Sequence, residues 1–479
     1  MRPGGLWRVI LLAAAAFIAV AAEQPKKEAP RLPADLEPVF GIALAAPPEF
    51  AASALLRLNA RVPDKLLRRD LIEMAFNLAA KGQNPVRLVA VPGAEVDTRS
   101  GSLSNALRLR LDVLSLQTAA VREMLAVDPV RAREMFTRIV RPGIGVLSCG
   151  DSLVPDQGSY FEAFAAVVHS GFTPTERSKG EHYAFAQGVL GGVSSVAELA
   201  PAANAVASFD FPREYFEIIL GVLTAKFESV PRDNRAFQFY SSDIERAVEA
   251  LAGRVAQLKA DRSALAENYR KFLVTQLQAP RCGGADPMVD FLVGSPEVPL
   301  FGDAIRGDLA PLSPAERTPE SAGGKMELVR YWQSGSSKRI FDACLLLRRG
   351  PSGIAFSEAD RRSSEWSRQL TDFLSMLANW DARDESSDAD FHNEKSTVYQ
   401  ALLELAPPGD LADRVMQSYV DFLKNSPLAQ QNTVEWFAPA RATVARIRPG
   451  HPEQAARLLA SFRASGNIVL MLEAMLGSI

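Results

Sequence analysis

Apolar residues recur at helical spacing along almost the whole chain, while strand-like alternation persists nowhere, and this confines the sequence to an all-α architecture. Between Ser363 and Trp380 the residues Trp366, Leu370, Phe373, Leu374 and Leu377 fall at i, i+4, i+7, i+8 and i+11. Asp410 to Asn425 repeats this with Leu411, Val415, Tyr419, Phe422 and Leu423, opened by Gly409-Asp410 and stopped by Pro427. Leu103 to Val127 carries two stripes, Leu107/Leu111/Leu114/Val121/Leu125 and Leu109/Val113/Leu116/Ala120/Met124, which predicts one helix sandwiched between neighbours. Its segment Leu107 to Leu111 alternates, but it holds no β-branched residue and reads as helix. Asp128-Pro129 then turns the chain into the next helix. Further helices are expected over 48–61, 64–81, 157–169, 175–190, 193–206, 212–227, 241–259, 263–278, 325–333, 336–347, 390–405, 431–446 and 452–464.

Short motifs recur among these helices. Leu265-x3-Tyr269-x2-Phe272-Leu273 is echoed by Val415-x3-Tyr419-x2-Phe422-Leu423 and by Tyr215-x2-Ile218-Ile219. Helix pairs joined by short proline-containing turns resemble, in layout, the tetratricopeptide and HEAT class of α-solenoids. That resemblance implies stacked antiparallel helix pairs and an extended groove for a protein or peptide partner.

One long interruption divides the pattern. Pro280, Pro287, Pro296, Pro299, Pro311, Pro314 and Pro319 prevent an extended helix across 280–324. The expected organisation is therefore a helical lobe over 36–280, a Pro/Gly-rich connection over 281–324 and a second helical lobe over 325–479.

The N-terminus reads as an address. Arg2 and Arg8 flank an apolar run from Val9 to Val20 that ends in Ala19-Val20-Ala21-Ala22. About a dozen apolar residues fall short of the roughly 20 that a spanning helix needs, and small side chains precede a cut after Ala21 or Ala22. Residues 1–22 are thus expected to be a signal peptide, and 23–35 a disordered tether whose Glu23 to Pro33 is charged and proline-rich. The product is expected in the periplasm or outside the cell, with no membrane span. Loss of the two arginines takes the formal charge from −3 to −5, so no basic footprint recommends a nucleic-acid partner.

Three Cys and four His over 479 residues leave little for a metal framework, and neither a metal nor a cofactor is expected. Cys149 and Cys282 lie in glycine-flanked connections, whereas Cys344 sits on an apolar helical stretch, so an exported chain is expected to pair Cys149 with Cys282. Two groups of residues carry what chemistry the sequence offers. Asp151, His169 and His182 follow Cys149 closely enough for a thiol, base and acid to meet. Trp380, Asp381 and Asp384 put an aromatic beside carboxylates, the material of a sugar platform or an acid–base pair. No catalytic residue is assigned. The reading that follows is an exported, non-catalytic helical-repeat protein that binds a protein or peptide, with a polysaccharide hydrolase or lyase on an (α/α) toroid as its alternative.

Overall fold

The computed structural model describes residues 32–90, 98–283, 312–325, 335–350, 353–381 and 387–477. Within these residues the chain is all-α, with 22 α-helices and two short strand pairs. In chain order they are α1 (Glu37–Ala45), α2 (Pro48–Asn59), α3 (Lys65–Ala79), β1 (Arg87–Ala90), α4 (Thr98–Leu107), α5 (Val113–Leu125), α6 (Pro129–Thr137), β2 (Leu153–Asp156), α7 (Gly158–Ser170), α8 (Pro174–Ser178) and α9 (Glu181–Gly191). There follow α10 (Val196–Ala207), α11 (Arg213–Ser229), α12 (Asn234–Gln257), α13 (Ser263–Gln278), β3 (Arg281–Gly283), α14 (Pro314–Arg317) and β4 (Ala322–Lys325). The last group is α15 (Gly335–Arg349), α16 (Glu358–Arg361), α17 (Ser364–Asn379), α18 (Asp388–Leu405), α19 (Asp410–Asn425), α20 (Val434–Ile447), α21 (Pro452–Arg463) and α22 (Ile468–Leu476).

Helix contacts define one continuous inner row whose spatial order differs from chain order: α15, α18, α20, α22, α2, α3, α5, α7, α10, α12. A second row, with α9, α11 and α13 on one arm and α17, α19 and α21 on the other, packs behind it. The chain therefore starts in the middle of the row, runs out to one end, and re-enters at the other. Helix α3 joins the two halves, because Ile72 and Phe76 enter the first apolar core while Leu71, Ala75 and Ala79 enter the second. The second core is built from both ends of the chain, with Leu36, Val39, Phe50, Leu55 and Leu58 packed among residues of 340–476.

A straight row of ten helices at 8–10 Å spacing would be roughly 80 Å long. Yet Lys325, paired with β3 beside α12, is only ten residues from Gly335 at the start of α15. Ten residues reach about 36 Å at full extension, so the row must bend back on itself. Helix α4 packs against α18 and α20, β1 against α4, and β2 against α10, while β1 and β2 pair antiparallel from Arg87↔Asp156 to Ala90↔Leu153.

Three expected elements differ. The single helix over 103–127 is broken, because Arg110 takes φ 56° and Asp112 restarts the chain as a cap, accepting from Ser115 N at 2.9 Å. The carbonyls of Asn84 and Pro85 accept from Val113 and Leu114, satisfying first-turn amides of α5 that a continuous helix would have used internally. The helix over 175–190 splits into α8 and α9 at Gly180, whose φ of 75° favours glycine. Helix α12 begins seven residues before the expected 241, because buried Asn234, Arg235 and Gln238 are hydrogen-bonded rather than apolar. Most of the helix expected over 325–333 lies outside the described residues.

Two inner-row helices share one pattern. Val196–Val206 in α10 and Val434–Val444 in α20 both read Val-x3-Ala-Pro-Ala-x3-Val, preceded by Ser195 and Thr433. Each proline stands at the sixth helical position, where it withdraws one intrahelical donor without ending the helix.

Candidate functional site

A cleft of about 720 Å³ lies where the end of α17 meets the antiparallel pair α18/α19. Its walls are helix faces. Asp388, Phe391, Lys395 and Tyr399 recur at i, i+3, i+7 and i+11 on α18, and Arg414, Gln417, Ser418, Asp421, Phe422 and Asn425 line α19 in the same way. Ala378, Asn379, Trp380 and Asp381 close the third side. The volume is that of a cleft able to enclose a ligand of several dozen atoms or a few side chains of a peptide.

Local sequence explains the frame. Ser363 accepts from Trp366 N at 3.2 Å to start α17, and Trp366, Leu370, Phe373 and Leu377 bury its inner stripe. At the other end Lys395 reaches across from α18, donating to the carbonyl of Trp380 at 2.8 Å and to that of Ala378 at 3.4 Å. Its ammonium lies 5.3 Å from the ring centres of both Phe391 and Phe422. A buried cation is tolerated there because the last carbonyls of a helix carry partial negative charge and the two rings offer their faces. The Tyr399 and Ser418 hydroxyls, 2.9 Å apart, tie the cleft's two helices together.

Asp381, Asp388 and Asp421 give the cleft negative charge beside the two cations Lys395 and Arg414. Arg414 is exposed and enters no ion pair among the described residues. Behind the cleft, α18 carries a second pair of acids. Asp390 accepts from Ser387 through one oxygen while its other oxygen is buried without a partner, and burial together with the nearby Asp390 charge raises the Glu394 carboxyl to about 7.

Of the residues singled out by sequence, Trp380 and Asp381 reach this cleft, and Asp384 lies outside the described residues. Trp380 is buried, edge-on to Phe391 at 5.2 Å and Phe341 at 6.3 Å, and so acts as a wall and not as an open platform. Asp151, His169 and His182 belong to the other arm. Asp151 accepts from the Ser148 amide and hydroxyl within its own turn. His169, exposed at the end of α7, stands 3.5 Å from the Ser208 hydroxyl. His182 is buried against Phe172, Tyr183 and Phe211, and burial, reinforced by Arg177, lowers its pKa. The buried Nδ1 of His182 has no hydrogen-bond partner, and no hydrogen bond or ion pair among the described residues joins these three side chains.

Among the described residues no group of three or more His, Cys, Asp or Glu is placed to hold a metal ion, and no helix is long and apolar enough to cross a membrane. Cys344 is a free, buried cysteine whose thiol burial pushes up to about 11. The side chain of Cys282 lies outside the described residues. A second cleft of about 560 Å³ lies between the β1/β2 ribbon, α10 and α12, with Arg87, Asp156, Tyr240 and Arg246 on its walls.

Sequence reasoning missed Lys395, Tyr399, Arg414, Gln417 and Asp421. The signal was present in the polar stripe of 414–425, which runs beside the apolar stripe that defined the helix. No family model, no curated protein and no solved structure matches this chain.

Proposed function

We propose that this chain is an exported, non-catalytic helical-repeat protein that binds an extended segment of a protein or peptide partner. The observation that carries this reading is the α17/α18/α19 cleft, whose two facing helices present aromatic rings, amides and both signs of charge along their length. A peptide supplies the complementary set, with its own side chains for the rings and its backbone for Gln417, Ser418 and Asn425. The paired helix layers and the repeated pattern of α10 and α20 support placing it with tetratricopeptide- or HEAT-like proteins.

Probing a peptide array with the exported protein tests this. Retained peptides should bind about tenfold more weakly to Gln417→Trp, which fills the cleft from an exposed position. Failure to retain any peptide, or equal binding by the variant, would refute it.

The alternative, a polysaccharide hydrolase or lyase on a closed helical ring, draws support from the bent row and from Trp380 beside Asp381, Asp388 and Asp421. Release of reducing ends from a polysaccharide, lost in Asp388→Asn or Asp421→Asn, would establish that reading instead.

Export and the Cys149–Cys282 bridge belong to the same proposal. Cys344 is free and buried, which leaves Cys149 and Cys282 for a bridge in a chain with three cysteines. The backbone around Cys149 is also anchored near β3: Leu147 N donates to Asp233 at 3.0 Å, and Asp233 N in turn to Gln276 of α13 at 2.8 Å. A bridge closing about 130 residues would restrict the unfolded chain by ~5 kcal/mol in the loop-entropy model.

A further inference from the structure

The end helix of the inner row, α15, has two unlike faces. Ile340, Cys344 and Leu347 form a buried stripe against α17 and α18, and the Trp366 indole donates to the Leu347 carbonyl at 3.2 Å. On the opposite side Lys338, Arg339, Asp342, Leu345, Leu346 and Arg349 share one exposed face, within about 120° of arc at 100° per residue. Arg348 is exposed at its edge. The four cations enter no ion pair among the described residues, and Asp342 is the single acid of the helix. Leu345 and Leu346 stand 52% and 54% exposed between them, and Ile354, just past the helix end, is 73% exposed. Such a concentration is out of keeping with a chain whose formal charge is −3.

We infer that the outer face of α15 is a docking surface for an anionic lipid bilayer. The helix would lie flat, its cations on headgroup phosphates and its leucines at the acyl boundary. The leucines decide between a bilayer and an acidic protein. An acidic protein surface would set carboxylates against Leu345 and Leu346, whereas a bilayer gives the cations anions and the leucines hydrocarbon within a few ångströms of depth. Each Lys or Arg near such a surface raises partitioning about fivefold, an effect confined to within a Debye length of the headgroups. Attachment is therefore reversible and salt-sensitive, and it leaves the cleft between α18 and α19 free to bind its own ligand.

Co-sedimentation of the exported protein with vesicles tests the inference. Vesicles of equal parts phosphatidylglycerol and phosphatidylcholine should carry the protein down at low salt, while phosphatidylcholine alone, or the mixed vesicles at roughly 0.5 M salt, should not. The variant K338E/R339E/R349E should lose binding about 100-fold, and L345Q/L346Q about tenfold with its salt dependence retained. These side chains are exposed, so far-UV circular dichroism and the unfolding temperature should stay unchanged. Should the charge variant misfold, the leucine variant alone decides. Equal binding to both vesicle types, unchanged binding by a folded variant, or capture by polyglutamate without sedimentation on vesicles would overturn it.

Discussion

The guanidinium of Arg57 donates a 2.8 Å hydrogen bond to the carbonyl of Leu476, joining the second helix of the fold to its last across 419 positions of sequence. Glu473 stands nearby, 3.7 Å from Arg57 and 3.8 Å from Arg441. The contact marks the seam at which the two ends of the chain complete one another's packing.

Damage to α2 should therefore be felt in the C-terminal arm. Leu55 is fully buried in the core it shares with residues of 340–476. Leu55→Ala should cost about 2–5 kcal/mol. Hydrogen exchange should show the lost protection in α20 and α22 as well as in α2, and protection unchanged in those two helices would refute the shared core.

Two groups on α18 respond to pH in opposite directions. Glu394 is raised to about 7, so the stability it contributes is complete below the ordinary carboxylate range and is lost as pH climbs through 7. Glu394→Gln should thus be the more stable protein above pH 7, by on the order of 1–3 kcal/mol. His392 is buried and neutral, its Nε2–H donating to the Trp436 carbonyl at 2.9 Å, and burial lowers it to about 4. Its contribution is present above the ordinary histidine range and lost as pH falls from about 6.5 towards 4. Urea titrations of Glu394→Gln across that window should expose the histidine's acid-side loss, which Glu394 partly cancels in the parent chain.

Asp112 separates the need for a cap from the cost of a charge. It is fully buried, one oxygen accepts from Ser115 N and the other has no partner, and burial raises its pKa. Asp112→Asn keeps the acceptor and should cost little. Asp112→Ala should cost about 1–2 kcal/mol by thermal unfolding.

Thiol chemistry should distinguish the cysteines. Cys344, buried and with its thiol pushed up to about 11, should resist alkylation until the protein unfolds. Non-reducing peptide mapping should recover a linked Cys149–Cys282 peptide, and a bridge involving Cys344 would exclude the proposed pairing.

Where one-sided stripes are strong, the sequence reports the structure directly: Trp366, Leu370, Phe373 and Leu377 face inward in α17 as their spacing requires. It is silent where a remote partner decides. The break before α5 depends on carbonyls of Asn84 and Pro85, and the early start of α12 on a glutamine 42 positions downstream of Asn234. The cleft was half legible, through Trp380 and Asp381, because its other walls are polar residues on helices recognised only by their apolar sides. The order of helices in the row was not legible at all, since periodicity tells which face is buried and never against which neighbour.

That order has a consequence for biosynthesis. Helices α1 and α2 are made first, yet their apolar partners in α20 and α22 are made last, 419 positions later in the Arg57–Leu476 pair. At 5–20 residues per second the nascent segment waits roughly 20 to 80 s with Phe50, Leu55 and Leu58 uncovered. The arm from α5 to α13 faces no such delay. A growing chain of this kind thus calls for a holding chaperone on its first sixty residues, and a circular permutant opened between 284 and 311 would remove that requirement by making the two ends neighbours in time.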